Sequence, residues 1–241
     1  MTAPVRGLLC PITTPFSTGG DADPGRLAAQ IEIYVSLSVT GVVVFGTSGE
    51  GPLVDADEEP RLLAAARAAL GPERTLAVQV GHESLRATVA SARRAEAAGA
   101  DAILCLPPRY YPVTPEGLRA FYRAVKAAVA LPLLAYHIPQ RTHVDLGADL
   151  LGGLAREGTL AGIKESAGDL QLQRELRRSA GEGFAILNGS AVLTLEALRS
   201  GADGAILAVA DVAPEAVLAI FDARSDGDSA GAEATQRALA P

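Results

Sequence analysis

Short apolar runs recur along the chain, each followed by a longer amphipathic stretch. The runs are GLLCPI from Gly7, VVVF from Val42, LAVQV from Leu76, AILCL from Ala102, LLAY from Leu133, AGIK from Ala161, FAIL from Phe184 and AILA from Ala205. Most are apolar at nearly every position, as strands of a parallel sheet are when both faces are buried. The stretches between them include EEPRLLAAARAAL, ESLRATVASARRAEAA, PEGLRAFYRAVKAAVA and LQLQRELRRSA. These are built from strong helix formers at helical spacing. Their starts carry Asp57 and Glu58, or Thr114-Pro115-Glu116 as cap, first-turn proline and first-turn acid. Gly71, Gly99, Gly181 and Gly201 stand at helix ends. Eight strands alternating with helices predict an α/β chain folded as a (β/α)8 TIM barrel.

A weak internal repeat agrees with that ring. AAGADAILCL from Ala97 and RSGADGAILA from Arg199 share Gly-Ala-Asp before an apolar strand, and LSVTGVVVF is a looser copy. The pattern predicts one barrel over residues 1–225. Residues 226–241 turn polar and then helical again, reading as the start of a shortened C-terminal helical extension.

Composition narrows the classes of function. The chain has 241 residues, 49% of them apolar, enough for one large core. Net charge is −7 with no basic cluster, which argues against nucleic acid as a partner. Cys10 and Cys105 lie far apart inside apolar runs and read as reduced core thiols. MTAPVRGLLC does not read as a signal peptide, and no stretch approaches a membrane span, so a cytoplasmic protein is expected.

In such barrels the chemistry sits where strands end. The sequence has only two lysines, Lys126 and Lys164. Lys126 lies in an amphipathic helix and reads as solvated. Lys164 ends an apolar strand, where charge is costly unless paired. It reads either as a structural ion pair with Glu165 or another carboxylate, or as an amine desolvated to attack a carbonyl, which an arginine could not do. The loop Gly46-Thr47-Ser48-Gly49-Glu50-Gly51 is either a tight turn or a small-anion cradle. Tyr136 closes the fifth strand and Arg141 follows five residues on. A phenol there relays protons or is simply buried, and the arginine grips a carboxylate or faces solvent. Tyr110 and Tyr111 form a stiff tip after two prolines and suit a subunit interface as well as catalysis. His82, His137 and His143 have no spacing that supports a metal site, and Glu50 and Glu165 read as loop braces rather than a glycosidase pair.

Several of these motifs, in order, are similar to those of the dihydrodipicolinate synthase and N-acetylneuraminate lyase family of pyruvate-dependent class I aldolases. GTSGEG at Gly46, YHIPQRT at Tyr136, GIKESAGD at Gly162, LNGS at Leu187 and GADGAILAVADVAP at Gly201 carry the resemblance, which runs from Gly7 to about Arg224. It implies that Lys164 forms an imine with a 2-oxo acid, that Thr47 and Ser48 hold its carboxylate, and that Tyr136 is the main acid and base. Thr47 would also pass protons, and Tyr110 would complete the relay from a neighbouring subunit. Gly189 and Ile206 would line the pocket through backbone groups. An arginine at the position of Arg141 binds the aldehyde's carboxylate in synthase members and is generally lacking in sialic-acid lyases.

The resemblance thus implies a lyase condensing pyruvate with L-aspartate-4-semialdehyde, in the manner of a 4-hydroxy-tetrahydrodipicolinate synthase of lysine biosynthesis. No cofactor and no metal are called for, since the protonated imine is the electron sink. A homodimer or homotetramer is expected by analogy. Four departures leave other readings open: Arg109 at the first tyrosine of the tip, His137 for the usual asparagine, Gly51 where Ser or Ala is frequent, and an end soon after the eighth helix. The alternatives are an aldolase for a 2-oxo-3-deoxy sugar acid or other 2-oxo acid, and a barrel that binds a small acid without turning it over.

Overall fold

The computed structural model describes residues 5–239. Residues 1–4, within MTAPVRGLLC, and 240–241, at the end of the expected extension, lie outside the described residues. Eight strands form a closed barrel in chain order: β1 (Gly7–Cys10), β2 (Gly41–Val44), β3 (Thr75–Gln79), β4 (Ala102–Cys105), β5 (Leu133–His137), β6 (Gly162–Glu165), β7 (Ala185–Asn188) and β8 (Gly204–Ile206). Every pair is parallel, and β8 returns to β1 through Leu9↔Ile206. All eight expected strands are present, with bounds differing by a residue or two.

Strand alternation explains the unbroken apolar runs. Leu9, Val43, Leu104, Leu134, Leu187 and Ile206 point inward and pack on one another. Their neighbours Leu8, Val42, Ile103, Ile163 and Ile186 point outward under the helices. Cys10 and Cys105 are free, buried thiols of that outer layer.

The helices are α1 (Pro24–Val35), α2 (Glu59–Leu70), α3 (Leu85–Ala97), α4 (Pro115–Ala128), the single turn α5 (Pro139–Thr142), α6 (Ala148–Arg156), α7 (Leu170–Ala180), α8 (Thr194–Arg199), α9 (Pro214–Ser225) and α10 (Ser229–Leu239). Thr114 caps α4 by accepting from Gly117 N at 3.1 Å. Asp169 caps α7 by accepting from Gln171 N and Leu172 N. Lys126 is not simply solvated: its ammonium donates to the carbonyls of Ala130 and Leu131, at 2.9 Å each, just past the end of α4. No described helix is long and apolar enough to cross a membrane.

The Gly-Ala-Asp repeat has a physical cause. Asp101 Oδ2 accepts from Leu76 N of β3 (2.8 Å) and from Arg67 of α2 (2.5 Å). Asp203 Oδ2 does the same with Ile186 N of β7 (2.8 Å) and Arg177 of α7 (2.5 Å). Each arginine also donates to the carbonyls just after its helix, Gly71 and Arg74 in one case, Gly181 and Phe184 in the other. One clamp on the N-terminal face of the barrel is thus used twice.

After β8, α9 and α10 pack together. Ala232 is buried, Arg199 pairs with Glu233 at 2.8 Å, and Gln236 bonds Leu195 N and Ala191 O. The polar tail thus folds back over α8.

Candidate active site

Lys164 sits at the C-terminal end of β6, flanked in register by Tyr136 on β5 and Leu187 on β7. Ile163 and Glu165 face outward, so Lys164 faces into the barrel mouth, where it is buried. The ion-pair alternative with Glu165 is not what the fold builds. That carboxylate accepts from the backbone N–H groups of Ala167 (2.6 Å), Gly168 (3.1 Å) and Asp169 (3.1 Å), bracing the loop into α7.

The Lys164 ammonium instead donates to the Tyr136 hydroxyl at 3.2 Å and lies 4.3 Å from the centroid of that ring. The same hydroxyl is 3.1 Å from Thr47 Oγ1. A phenol that accepts from Lys164 has its own proton free for Thr47, so the three groups form a proton path.

Thr47 and the half-buried Ser48 are presented by the glycine loop after β2. That loop is a tight turn: Gly51 N donates to Gly46 O at 3.2 Å, and Thr14 Oγ1 donates to Gly49 O at 2.5 Å. Phe45 (φ 60°) and Glu50 (φ 49°) adopt left-handed backbone to make it. A Cβ on Gly49 would lie 2.8 Å from Ile12 O, so the loop is pressed onto the strand-end layer. Glu50 is exposed, and its backbone N–H donates to Thr47 O at 3.2 Å within the turn.

Arg141 stands exposed on α5, which Pro139 opens directly after β5. Gln140 Nε2 fixes this turn by donating to Ser166 O at 2.8 Å. Gly189, beyond β7, donates its N–H to Glu165 O at 2.6 Å, and a side chain there would strike Ser166 Oγ. Ile206 ends β8, buried.

A cavity of about 300 Å³ gathers Lys164, Tyr136, Thr47, Ser48, Arg141, Gly189 and Ile206. Pro11, Ile138, Gln140, Ser166 and Ala208 complete it. A second cavity of about 240 Å³ shares Thr47, Ile138 and Arg141 and extends to Gln79, Leu106 and Arg109. Tyr110 is the one expected residue outside the Lys164 cavity. It is 77% exposed beside Tyr111 (75%), on an outer surface with Val113 and His143.

Asp211 received no role from the sequence, where it is one acid in an apolar run after β8. It lies in the turn Ala208–Asp211 with Oδ1 buried and unpartnered among the described residues. Burial pushes its carboxyl up to about 7, against the opposing pull of Lys164 and the Ser48 side chain. His137, whose neighbours in the strand direct it outward, is buried beneath the helices. Burial lowers its pKa, with Glu165, Asp145 and Asp169 opposing.

Comparison with known proteins places this geometry. The profile of the dihydrodipicolinate synthetase family matches residues 4–241. An uncharacterized DapA-like lyase of Halobacterium salinarum is 35% identical over 96% of this chain and 76% of its own. A 4-hydroxy-tetrahydrodipicolinate synthase of Nitrosospira multiformis is 35% identical over 98% of this chain and 78% of its own. Among solved structures, YagE, a prophage protein of the dihydrodipicolinic acid synthase family from E. coli K12 in complex with pyruvate, superposes with a TM-score of 0.92. It is 28% identical, over 97% of this chain and 80% of that one. With its parallel barrel, its cavity at the strand ends and a family match along nearly its whole length, the chain belongs to the dihydrodipicolinate synthetase family and is a lyase of the class I aldolase type.

Proposed function

We propose that Lys164 forms a Schiff base with pyruvate, or a closely related 2-oxo acid, and that the resulting enamine adds to an aldehyde. The observation that carries this is the Lys164 amine, buried at the barrel mouth and bonded to a phenol that also reaches Thr47. The neutral amine attacks C2 of the 2-oxo acid, and loss of water leaves a protonated imine. Tyr136 removes a proton from C3 to give the enamine. C3 then attacks the aldehyde carbon, whose oxygen takes a proton from the same path. Displacement of the imine by water, or by an amino group of the product, frees Lys164.

Thr47 and Ser48 hold the substrate's carboxylate, with Gly189 and Ile206 forming the wall through backbone groups. Arg141, exposed over the cavity, takes the carboxylate of the aldehyde, which favours L-aspartate-4-semialdehyde and a 4-hydroxy-tetrahydrodipicolinate synthase reaction in lysine biosynthesis. The adjoining cavity toward Arg109 favours a second reading, an aldolase for a longer 2-oxo-3-deoxy acid. Tyr110, too exposed to serve its own site, reaches the Thr47 of a second subunit in a homodimer or homotetramer.

Borohydride trapping with pyruvate, read by intact mass and peptide mapping, tests the reading. A pyruvate-sized adduct on Lys164 supports it, and turnover with L-aspartate-4-semialdehyde then decides between the two aldehyde classes. A folded protein with no adduct sinks it, leaving a barrel that binds a small acid at most.

A further inference from the structure

The cavity that adjoins the Lys164 site has a charge pattern of its own. Its charged lining residues are Arg109, on the tip after β4, and Arg141, on α5, with no acid among the described residues that line it. Two of its other polar side chains are spent inside the protein. Gln79 Nε2 donates to Phe45 O at 3.4 Å, and its Oε1 accepts from Gly81 N. Thr142 Oγ1 donates to Ile138 O at 3.1 Å and accepts from Val144 N at 3.3 Å. Arg141 is exposed. Arg109 Nη1 lies 3.3 Å from Glu83 Oε1 without the geometry of a hydrogen bond, and it is buried with no other partner among the described residues. A guanidinium stays charged at any pH the protein meets, so the cavity offers an anion two forked donors and no like charge.

We infer that this cavity seats the tail of the acceptor aldehyde, and that Arg109 joins Arg141 in selecting acceptors whose tail ends in a carboxylate or phosphate, an inference that rests on Schiff-base chemistry at Lys164. Arg109 is held in place for this. Glu83 Oε2 accepts from the backbone N–H groups of Arg109 and Tyr110 at 2.9 Å each, which fixes the tip. On the other side of Arg109 a further cavity of about 200 Å³ is lined by Glu59, His82 and Glu83. Two acids there repel an anion, so the side shared with Arg141 is the one that receives it.

The cavities join where the reaction needs them to. Thr47, Ile138 and Arg141 line both. The aldehyde carbon has to meet C3 of the enamine on Lys164 while its oxygen meets the proton path through Tyr136 and Thr47. An aldehyde so placed lays its other end past Ile138 into the adjoining cavity, where Phe45, Pro52 and Leu106 give its chain an apolar wall. A terminal anion there is taken by charge-assisted hydrogen bonds from the two arginines. An uncharged tail gains nothing from Arg109.

The test compares acceptors that differ in the terminal anion alone. L-aspartate-4-semialdehyde is set against its methyl ester, and glyceraldehyde 3-phosphate against glyceraldehyde, each with pyruvate. In Arg109→Leu the KM for the anionic aldehyde that the natural protein uses rises on the order of 10- to 100-fold, as expected for lost hydrogen bonds to a charged group. Kinetics with the uncharged partners and pyruvate trapping on Lys164 stay within about twofold. Arg141→Leu moves the same KM in the same direction. Arg109→Lys keeps a cation beside Glu83 and shows a smaller rise, again confined to the anionic aldehydes; it carries the test if the leucine variant does not fold. The pair with the larger change identifies carboxylate or phosphate as the anion selected. Equal losses for charged and uncharged aldehydes would make Arg109 a brace for the tip and overturn the inference. So would no change in either Arg109 variant, a rise in Arg141→Leu alone, or an adduct-forming natural protein that uses neither anionic aldehyde. No Lys164 adduct at all overturns the Schiff-base reading instead, and this inference with it.

Discussion

The Lys164 ammonium rests 3.2 Å from the Tyr136 hydroxyl and 4.3 Å from the centroid of the same ring. One aromatic side chain therefore both shelters the cation and connects it to Thr47. The strand register Tyr136↔Lys164 puts the two on adjacent strands at the same height, so rigid backbone sets their separation. Tyr136→Phe keeps the ring and deletes the relay. The expected outcome is a folded protein that still gives the Lys164 adduct, more slowly, with kcat down roughly 10²- to 10³-fold. Turnover and trapping rates measured together check it; an unchanged kcat would remove Tyr136 from the acid–base role.

Tyr110 and Lys164 offer a complementation experiment. If each site takes its lysine from one chain and its Tyr110 from the next, Lys164→Ala and Tyr110→Ala are each nearly inactive alone. Mixed under subunit exchange, they recover about a quarter of wild-type activity for a randomly exchanging dimer, because half of the dimers hold one intact site. Recovery absent despite proven exchange would show that Tyr110 serves no neighbour's site.

The barrel was legible because each strand needs apolar side chains on both faces, and a run such as VVVF announces that without any long-range information. Lys164 was legible because lysine is scarce in this sequence and this one ends an apolar strand. Asp211 was not. Its side chain is half-buried on a turn after β8 whose backbone is held by Tyr34, 177 residues away in sequence, and nothing local distinguishes it from a surface acid. The bonds Lys126 makes to Ala130 and Leu131 were hidden for a related reason, since an amphipathic pattern gives a residue's face but not the carbonyls within its reach. The outward, buried place of His137 follows from strand alternation, yet its neighbours Asp145 and Asp169 come from loops that the pattern leaves open.

Gly51 is fixed by a contact rather than by its own φ. A Cβ there would overlap the Phe45 carbonyl, which the left-handed backbone of Phe45 (φ 60°) turns toward it. Gly51→Ala therefore forces the Thr47–Ser48 loop to shift. The expected cost is about 1–3 kcal/mol of stability together with weaker pyruvate capture. Denaturant melts and trapping yield measure the two effects. A variant as stable and as reactive as the parent would mean that the loop relaxes freely.

His137 makes the fold sensitive to acid without touching the cavity. Its ring is buried, Nδ1 has no partner among the described residues, and Nε2 is 3.8 Å from Asp145 Oδ1. Burial depresses its pKa below the ordinary histidine value, and the nearby acids Glu165, Asp145 and Asp169 only partly offset this. The unfolded chain consequently takes up a proton at higher pH than the folded one. Stability from the neutral ring is present above about pH 6.5 and is lost as pH falls toward the depressed folded value. His137→Asn removes the titration. Between about pH 7.5 and pH 5 the Tm of the natural protein should fall about 2–4 °C further than that of the variant, while pyruvate trapping on Lys164 at neutral pH stays the same. Parallel Tm profiles would assign the acid sensitivity to other groups. A loss of trapping at neutral pH would show that the outward ring supports the Tyr136 end of the relay after all.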